Sequence, residues 1–333
     1  MSEIRYDRLN DTHVLIAPER LHRPDTTRVD HDSKGAECPF CEGNESMTPK
    51  EIFAMRDPET MANQKGWHTR VVPNLYKAVA IEAPHLHHSG TFEYWDGFGA
   101  HEVILDTPTH QISMMGWSHE ETVIWLKTLR ERVGDLRRDH RIAFISLFKN
   151  EGFDAGSTMA HCHTQLIALP VIPKAIREIN RHAREYFHFH HHALMESIVS
   201  DEEEANVRLI ERRGEFSAFC PYASEYPFEV MISSKRCIGQ IDTIVDANLD
   251  DLALLLESVL QRLHTQLKSF CFNLWISTPP LGEDVLEGDA HRLMIRITPR
   301  IYRFGGFEVN TSMMINPVSP EVAAKLLQGD NHG

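Results

Sequence analysis

The chain has 333 residues, room for one large domain or two ordinary ones, and its 42% hydrophobic and 25% charged residues are in soluble globular proportion. Lys+Arg 34 against Asp+Glu 48 leaves a formal charge of -14, which argues against a broad nucleic-acid surface and requires local cations to meet any anionic substrate. No apolar stretch approaches membrane-span length, Met1-Ser2-Glu3-Ile4-Arg5 does not open a signal peptide, and 6 cysteines are too sparse for a disulfide scaffold, so a cytoplasmic enzyme is expected, with no membrane or nucleic-acid partner.

The first motif along the chain is Cys38-Pro39-Phe40-Cys41. Two thiols on one tight turn offer half of a tetrahedral zinc site. The competing readings are a redox dithiol and two unrelated buried cysteines. A dithiol of the thioredoxin kind opens a helix after a strand, whereas Gly43 and Asn44 follow here and Pro49 comes shortly after, so zinc leads. One nitrogen ligand is available from His161 or His163. A second is available from His110, in Thr107-Pro108-Thr109-His110, or from His101.

Residues 102–105 read as a strand. Ser118-His119-Glu120-Glu121 is a capping box ahead of Val123, Leu126, Leu129, Val133 and Leu136 at helical spacing. Residues 142–148 form a β-like run, followed by a polar, glycine-containing approach through Asn150-Glu151-Gly152 and Ala155-Gly156-Ser157-Thr158. Small residues there let backbone N–H groups come close to phosphate oxygens. The approach leads to His161-Cys162-His163-Thr164-Gln165. A histidine so placed can attack the α-phosphorus of a nucleotide and hold it as a phosphoramidate. A plain strand face also produces His-x-His, because residues two apart point the same way. Spacing alone does not separate the two.

Residues 181–193 include His182, His188, His190, His191 and His192 and lead toward Asp201-Glu202-Glu203-Glu204. Without regular ligand spacing they predict a solvated helix and loop, not a metal site. The chain then repeats itself. Residues 229–232 read as a strand, and Asn248 with Asp251 stand as a cap before Leu252, Leu255, Val259 and Leu263. Residues 272–276 and 294–299 answer 142–148 and 165–170. Counting back from Pro170 and Pro299 sets His163 opposite Arg292 and His161 opposite Ala290. The expectation is an α+β chain in two halves, 1–175 and 195–333, whose sheets join. The first half carries the reaction; the second completes the fold and reaches over the substrate.

Cys38-Pro39-Phe40-Cys41-Glu42-Gly43-Asn44, Val71-Val72-Pro73-Asn74, Asn150-Glu151-Gly152 and His161-x-His163-x-Gln165 together resemble the galactose-1-phosphate uridylyltransferase family. That family is the transferase branch of the histidine-triad superfamily, beside ADP-glucose phosphorylase. The resemblance runs from Ala17-Pro18-Glu19-Arg20 to Gly306-Phe307-Glu308. It implies two histidine-triad-like repeats whose antiparallel sheets join into an open half-barrel flanked by helices, and a homodimer. It makes His163 the nucleophile that carries a uridylyl group, and gives Cys38, Cys41, His110 and His161 to one structural Zn2+. It sets Arg20 and Arg23 at the nucleotide phosphates, Asn74 at the nucleoside, Asn150, Gly156 and Thr158 around the α-phosphate, and Phe307 and Glu308 near the hexose.

Gln165 stands where hydrolytic members of the superfamily carry a histidine. Glutamine can hydrogen-bond a phosphate oxygen but cannot protonate a leaving group. It suffices when the leaving group is a sugar phosphate with a second pKa near roughly 6, which favours transfer between phosphates over hydrolysis. Cys162 replaces a proline common in the family and is expected to point away from the site as packing. The histidines that hold a second metal in some members correspond to Ile276, Met294 and Arg296, so no second iron site is expected. The leading functional reading is a UDP-glucose:hexose-1-phosphate uridylyltransferase acting by ping-pong through His163. The alternative is an ADP-glucose phosphorylase using the same histidine, since residues 157–158 and 165–170 resemble that enzyme as closely. From another class, the chain reads as a zinc-stabilised nucleotide-binding module without turnover. The expected partners are small nucleotide sugars and sugar-1-phosphates.

Overall fold

The computed structural model of the chain describes residues 3–7, 12–16, 38–281, 290–303 and 305–329. Its strands are β1 (Glu3–Asp7), β2 (Thr12–Ile16), β3 (Phe53–Arg56), β4 (Trp67–Pro73), β5 (His87–His88), β6 (Tyr94–Asp96), β7 (Ala100–Leu105), β8 (Phe144–Glu151), β9 (His163–Leu169), β10 (Leu209–Arg213), β11 (Phe216–Phe219), β12 (Val230–Ser234), β13 (Phe272–Ile276) and β14 (Met294–Pro299). The helices are α1 (His119–Leu136), α2 (Lys174–His190), α3 (Leu194–Ala205), α4 (Asp246–Leu267), α5 (Gly306–Thr311) and α6 (Pro320–Gln328).

One antiparallel sheet runs β10-β11-β12-β14-β13-β8-β9-β7-β4-β3, and a small one runs β2-β1-β6-β5. Outward from the central β13·β8 pair, both halves repeat the same order. β8, β9, β7, β4 and β3 answer β13, β14, β12, β11 and β10. The ladder partners Phe144↔Leu169 recur as Asn273↔Thr298, so the internal repeat read from the sequence is a structural one. The sheet ends at β3 and β10 without closing on itself, giving an open α+β sheet flanked by helices.

The alternation of β9 decides what faces the chemistry. Leu166 and Ala168 join Ile145, Leu147, Ile295 and Ile297 in one core with Trp125, Leu129, Leu252 and Val259 of α1 and α4. His163 and Gln165 therefore face away from the helices. Cys162, just ahead of the strand, belongs to that core, and burial pushes its thiol up to about 12. It packs, as expected.

Ser118 caps α1 reciprocally with Glu121: each side chain accepts the other's backbone N–H. The cap expected at Asn248 is corrected. Helix α4 begins at Asp246 behind Val245, because Leu249 is already fully buried on the face continued by Leu252, Leu256 and Val259. A second correction concerns Asn150 and Glu151, expected in the polar approach that follows the β-like run. They extend β8, since Asn150 pairs with Asn273 and Lys149 with both Thr164 and Leu274. At the end of α2 His190 stacks on Tyr186, and His192, just beyond the helix, bonds to Ser197. Among the described residues they join no metal-holding group, and no helix is long and apolar enough to cross a membrane.

Candidate active site

The ligand atoms of Cys38, Cys41, His110 and His161 lie within 4.8 Å of one another. His161 Nδ1 is 3.6 Å from each thiol, and His110 Nδ1 is 3.5 Å from Cys41 Sγ. The tautomer of His161 is assigned by Nε2–H donating to the Thr107 carbonyl at 2.9 Å, which turns Nδ1 toward the sulfurs. Burial lowers the His161 pKa to about 4, so its ring is neutral and ready to coordinate. Burial and the neighbouring Cys38 push the Cys41 thiol up to about 11. Two sulfurs so close become thiolates together only with a cation between them. Two sulfurs and two imidazole nitrogens fit zinc, and four protein ligands would leave no open position for water.

The clip also shapes the groove beside it. Phe40, inside the Cys-x-x-Cys turn, meets the His163 ring edge-on at 5.5 Å. The groove is about 300 Å³ and is lined by Phe40, Asn74, Tyr76, Thr158, His163 and Gln165 among others. His163 is 7% exposed, and its Nδ1–H donates to the His161 carbonyl at 2.9 Å. That bond leaves the ring's lone pair on Nε2, the nitrogen able to act as a nucleophile. One residue thus serves two ends: the His161 side chain joins the metal cluster while its carbonyl orients the next histidine.

Asn150 and Gly156 meet where β8 hands over to the connecting loop. Asn273 Nδ2 donates to Asn150 Oδ1 and to the Ala155 carbonyl, both at 2.8 Å. The loop leaves the strand through Gly152 at φ +85, where a Cβ would collide with Cys271. Behind β9, Lys149 Nζ reaches Asp106 Oδ2 at 2.7 Å and the His163 carbonyl at 3.4 Å. Burial opposes charge on both partners and raises Asp106, while the Asp106 carboxylate holds Lys149 protonated, above its ordinary range.

The other expected positions fall as follows. His101, the rival of His110, lies outside the cluster: its Nε2 is 3.3 Å from Gln165 Oε1 and 3.0 Å from Asn74 Nδ2. Phe307 and Glu308 sit on α5, outside the groove, and Glu308 is buried with its carboxylate accepting the Gly305 N–H at 2.9 Å. Arg20 and Arg23 lie outside the described residues. Sequence reasoning missed Lys149 as a fully buried cation. No spacing signal marks it, because its partner Asp106 belongs to a different strand connection.

Residues 1–173 match the family described as galactose-1-phosphate uridyl transferase, N-terminal domain. An ADP-glucose phosphorylase of Arabidopsis thaliana is 29% identical over 98% of this chain and 92% of its own length. A galactose-1-phosphate uridylyltransferase of Thermotoga maritima is 25% identical over 98% of both chains. The solved structure of an Arabidopsis thaliana ADP-glucose phosphorylase with bound ADP-glucose matches at TM-score 0.76 and 28% identity, covering 100% of both chains. With its metal-ready clip, oriented histidine and duplicated sheet, the chain belongs to the galactose-1-phosphate uridyl transferase family.

Proposed function

We propose that this protein transfers a nucleotidyl group from a nucleoside-diphosphate sugar to a phosphate acceptor through a covalent intermediate on His163. One observation carries the reading. His163 donates Nδ1–H to the His161 carbonyl at 2.9 Å and lines one groove with Gln165. Nε2 attacks the α-phosphorus, and the bond to the bridging oxygen breaks with its electron pair leaving on the sugar-1-phosphate. A phosphate oxygen of the acceptor then attacks the same phosphorus and the P–N bond breaks, restoring neutral His163. Gln165 donates to a phosphoryl oxygen and offers no acid, which a sugar-phosphate leaving group does not need. Asn74 and Thr158 line the same groove and serve the nucleoside and the α-phosphate, with Asn150 and Gly156 supporting the loop that carries Thr158. Cys38, Cys41, His110 and His161 hold one zinc that stabilises the turn beside the nucleophile. The hexose role of Phe307 and Glu308, the phosphate role of Arg20 and Arg23, the two-domain division and the homodimer rest on the resemblance and belong to this proposal.

Two acceptors share this machinery. Uridylyl transfer to a hexose-1-phosphate is the leading reading of the sequence. Adenylyl transfer to inorganic phosphate is supported by 29% identity to the phosphorylase against 25% to the uridylyltransferase, each over 98% of this chain. Mass spectrometry after mixing with UDP-glucose or ADP-glucose tests both. A uridylyl adduct on His163 discharged by galactose-1-phosphate supports the transferase, and an adenylyl adduct discharged by phosphate supports the phosphorylase. No adduct from either nucleotide sugar would overturn the proposal in favour of a binding module.

A further inference from the structure

We infer that Asn273, from the second half of the chain, is a positioning residue for the transfer: it sets the Asn150 amide so that its NH2 is the part offered to the α-phosphoryl group. The inference rests on the nucleotidyl-transfer reading above and adds a residue to it. Asn273 lies on β13 and is the ladder partner of Asn150 on β8, across the seam between the halves. Its Nδ2 is 2.8 Å from the Ala155 carbonyl oxygen and 2.8 Å from Asn150 Oδ1. A backbone carbonyl can only accept, so the Asn273 atom facing it is the NH2 nitrogen. The second hydrogen of that NH2 goes to Asn150, and the Asn150 atom receiving it is therefore the carbonyl oxygen. Both orientations follow from one fixed backbone group. Among the described residues neither side-chain amide makes another hydrogen bond that would oppose them.

The consequence falls on the other end of the Asn150 amide. Alternation along β8 places Asn150 on the face of Phe148, whose ladder partner is Gln165. Asn150 Nδ2 lies beside Gly156, 4.0 Å from where a Cβ on that glycine would stand. Two residues further on, Thr158 lines the groove with His163. An unrestrained asparagine amide turns over at little cost and offers NH2 or C=O alike. A carbonyl oxygen is repelled by phosphoryl oxygens, whereas an NH2 donates to them. With Oδ1 taken up by Asn273, the donor is in place before the substrate arrives and meets developing charge without reorganisation. The half that carries Ala290 and Arg292 in place of His161 and His163 thus orients a donor in the half that keeps them.

Asn273 also holds the loop at Ala155, and the experiment separates the two tasks. The full chain, zinc-loaded, is mixed with UDP-glucose or ADP-glucose, and the single-turnover rate of adduct formation on His163 is measured at several concentrations. Asn150→Ala is expected to slow labelling about 100-fold, the loss typical of one preorganised donor. Asn273→Ala is expected to slow the maximal rate roughly tenfold with half-saturation little changed, the pattern of lost transition-state orientation. Asn273→Thr, which suits a strand and lacks the amide, should track it and guards against a variant that does not fold. Asn150→Ala/Asn273→Ala should be no slower than Asn150→Ala alone, because no amide is left to orient. Sulfur in place of one or the other non-bridging α-oxygen supplies a second readout. The rate ratio between the two sulfur isomers should move in the same direction in Asn150→Ala and Asn273→Ala, since both lose the donor to one oxygen. An unmoved ratio in Asn273→Ala, or losses that multiply in the double variant, would overturn the inference in favour of a purely structural role at Ala155. Wild-type rates in Asn150→Ala, or in both Asn273 variants, would overturn it outright. Absence of any adduct in the wild-type protein is a different failure, one that removes the nucleotidyl-transfer reading and this role with it.

Discussion

Lys149 Nζ sits 2.7 Å from Asp106 Oδ2, and both side chains are wholly excluded from solvent. The pair lies directly behind the strand that presents His163, with the ammonium also near the His163 carbonyl. Asp106 leads into Thr107, whose carbonyl accepts from His161. One buried charge pair thereby ties together the strand of His163 and the segment that orients His161. Removing one partner strands the other charge. Lys149→Met is expected to cost about 3–5 kcal/mol, read as a shift in the urea midpoint. Lys149→Met/Asp106→Leu should lose clearly less than Lys149→Met alone, and an equal or larger loss would show that the pair is not what holds the region.

Purified protein should carry about one tightly held zinc per chain, since the four-ligand cluster has no vacancy for exchange with water. Cys38→Ser or Cys41→Ser should lower zinc content and melting temperature together, because structural zinc contributes folding free energy. Metal analysis of the double variant is decisive: full zinc retention there would rule the cluster out.

The two histidines should separate cleanly despite their spacing. His163→Ala is expected to abolish turnover while zinc and folding stay near normal, because its ring is outside the metal cluster. His161→Ala should lose metal as well as activity, and would also release the segment at Thr107. Zinc titration with circular dichroism reads both, and the opposite pattern would reverse the roles.

His119 joins the two halves through their helices, with Nε2 2.9 Å from Asp250 and Nδ1 3.1 Å from Glu257. Hydrogen bonds to Asp250 and then Glu257 raise its pKa above the ordinary 6.5. A raised folded-state pKa means the clamp is complete below about pH 6.5 and fades as the pH climbs through the folded value. The ring is 39% exposed, so water screens it and the expected contribution is only about 0.5 kcal/mol. Denaturation of wild type and His119→Gln at pH 6 and pH 9 should show a gap at the lower pH that closes at the higher one. A gap that widens with pH would refute the clamp.

Much of this arrangement was legible because it is local. Ser118 and Glu121 cap each other within one turn, Cys38 and Cys41 share one turn, and the alternation of His163 and Gln165 with Thr164 and Leu166 already states which face is which. The repeat was legible because both copies keep the same order of strand, helix, strand and strand. The errors came where a distant partner overruled a local signal. Asn248 is a good cap by type, yet the burial of Leu249 pulled the helix start back to Asp246. Asn150 and Glu151 look like part of a polar approach, yet β13 supplies ladder partners for both, continuing the strand past Lys149, which β9 also pairs.

The sequence by itself determined the secondary-structure types, the duplication, the two-thiol clip and the histidine that can act as nucleophile, because each depends on residues a few positions apart. The tertiary structure decided between His110 and His101, buried Lys149 against Asp106 and brought the His101 ring to Gln165. Those outcomes depend on strand register and sheet order, which are set by packing the whole core, and no short stretch of chain encodes them.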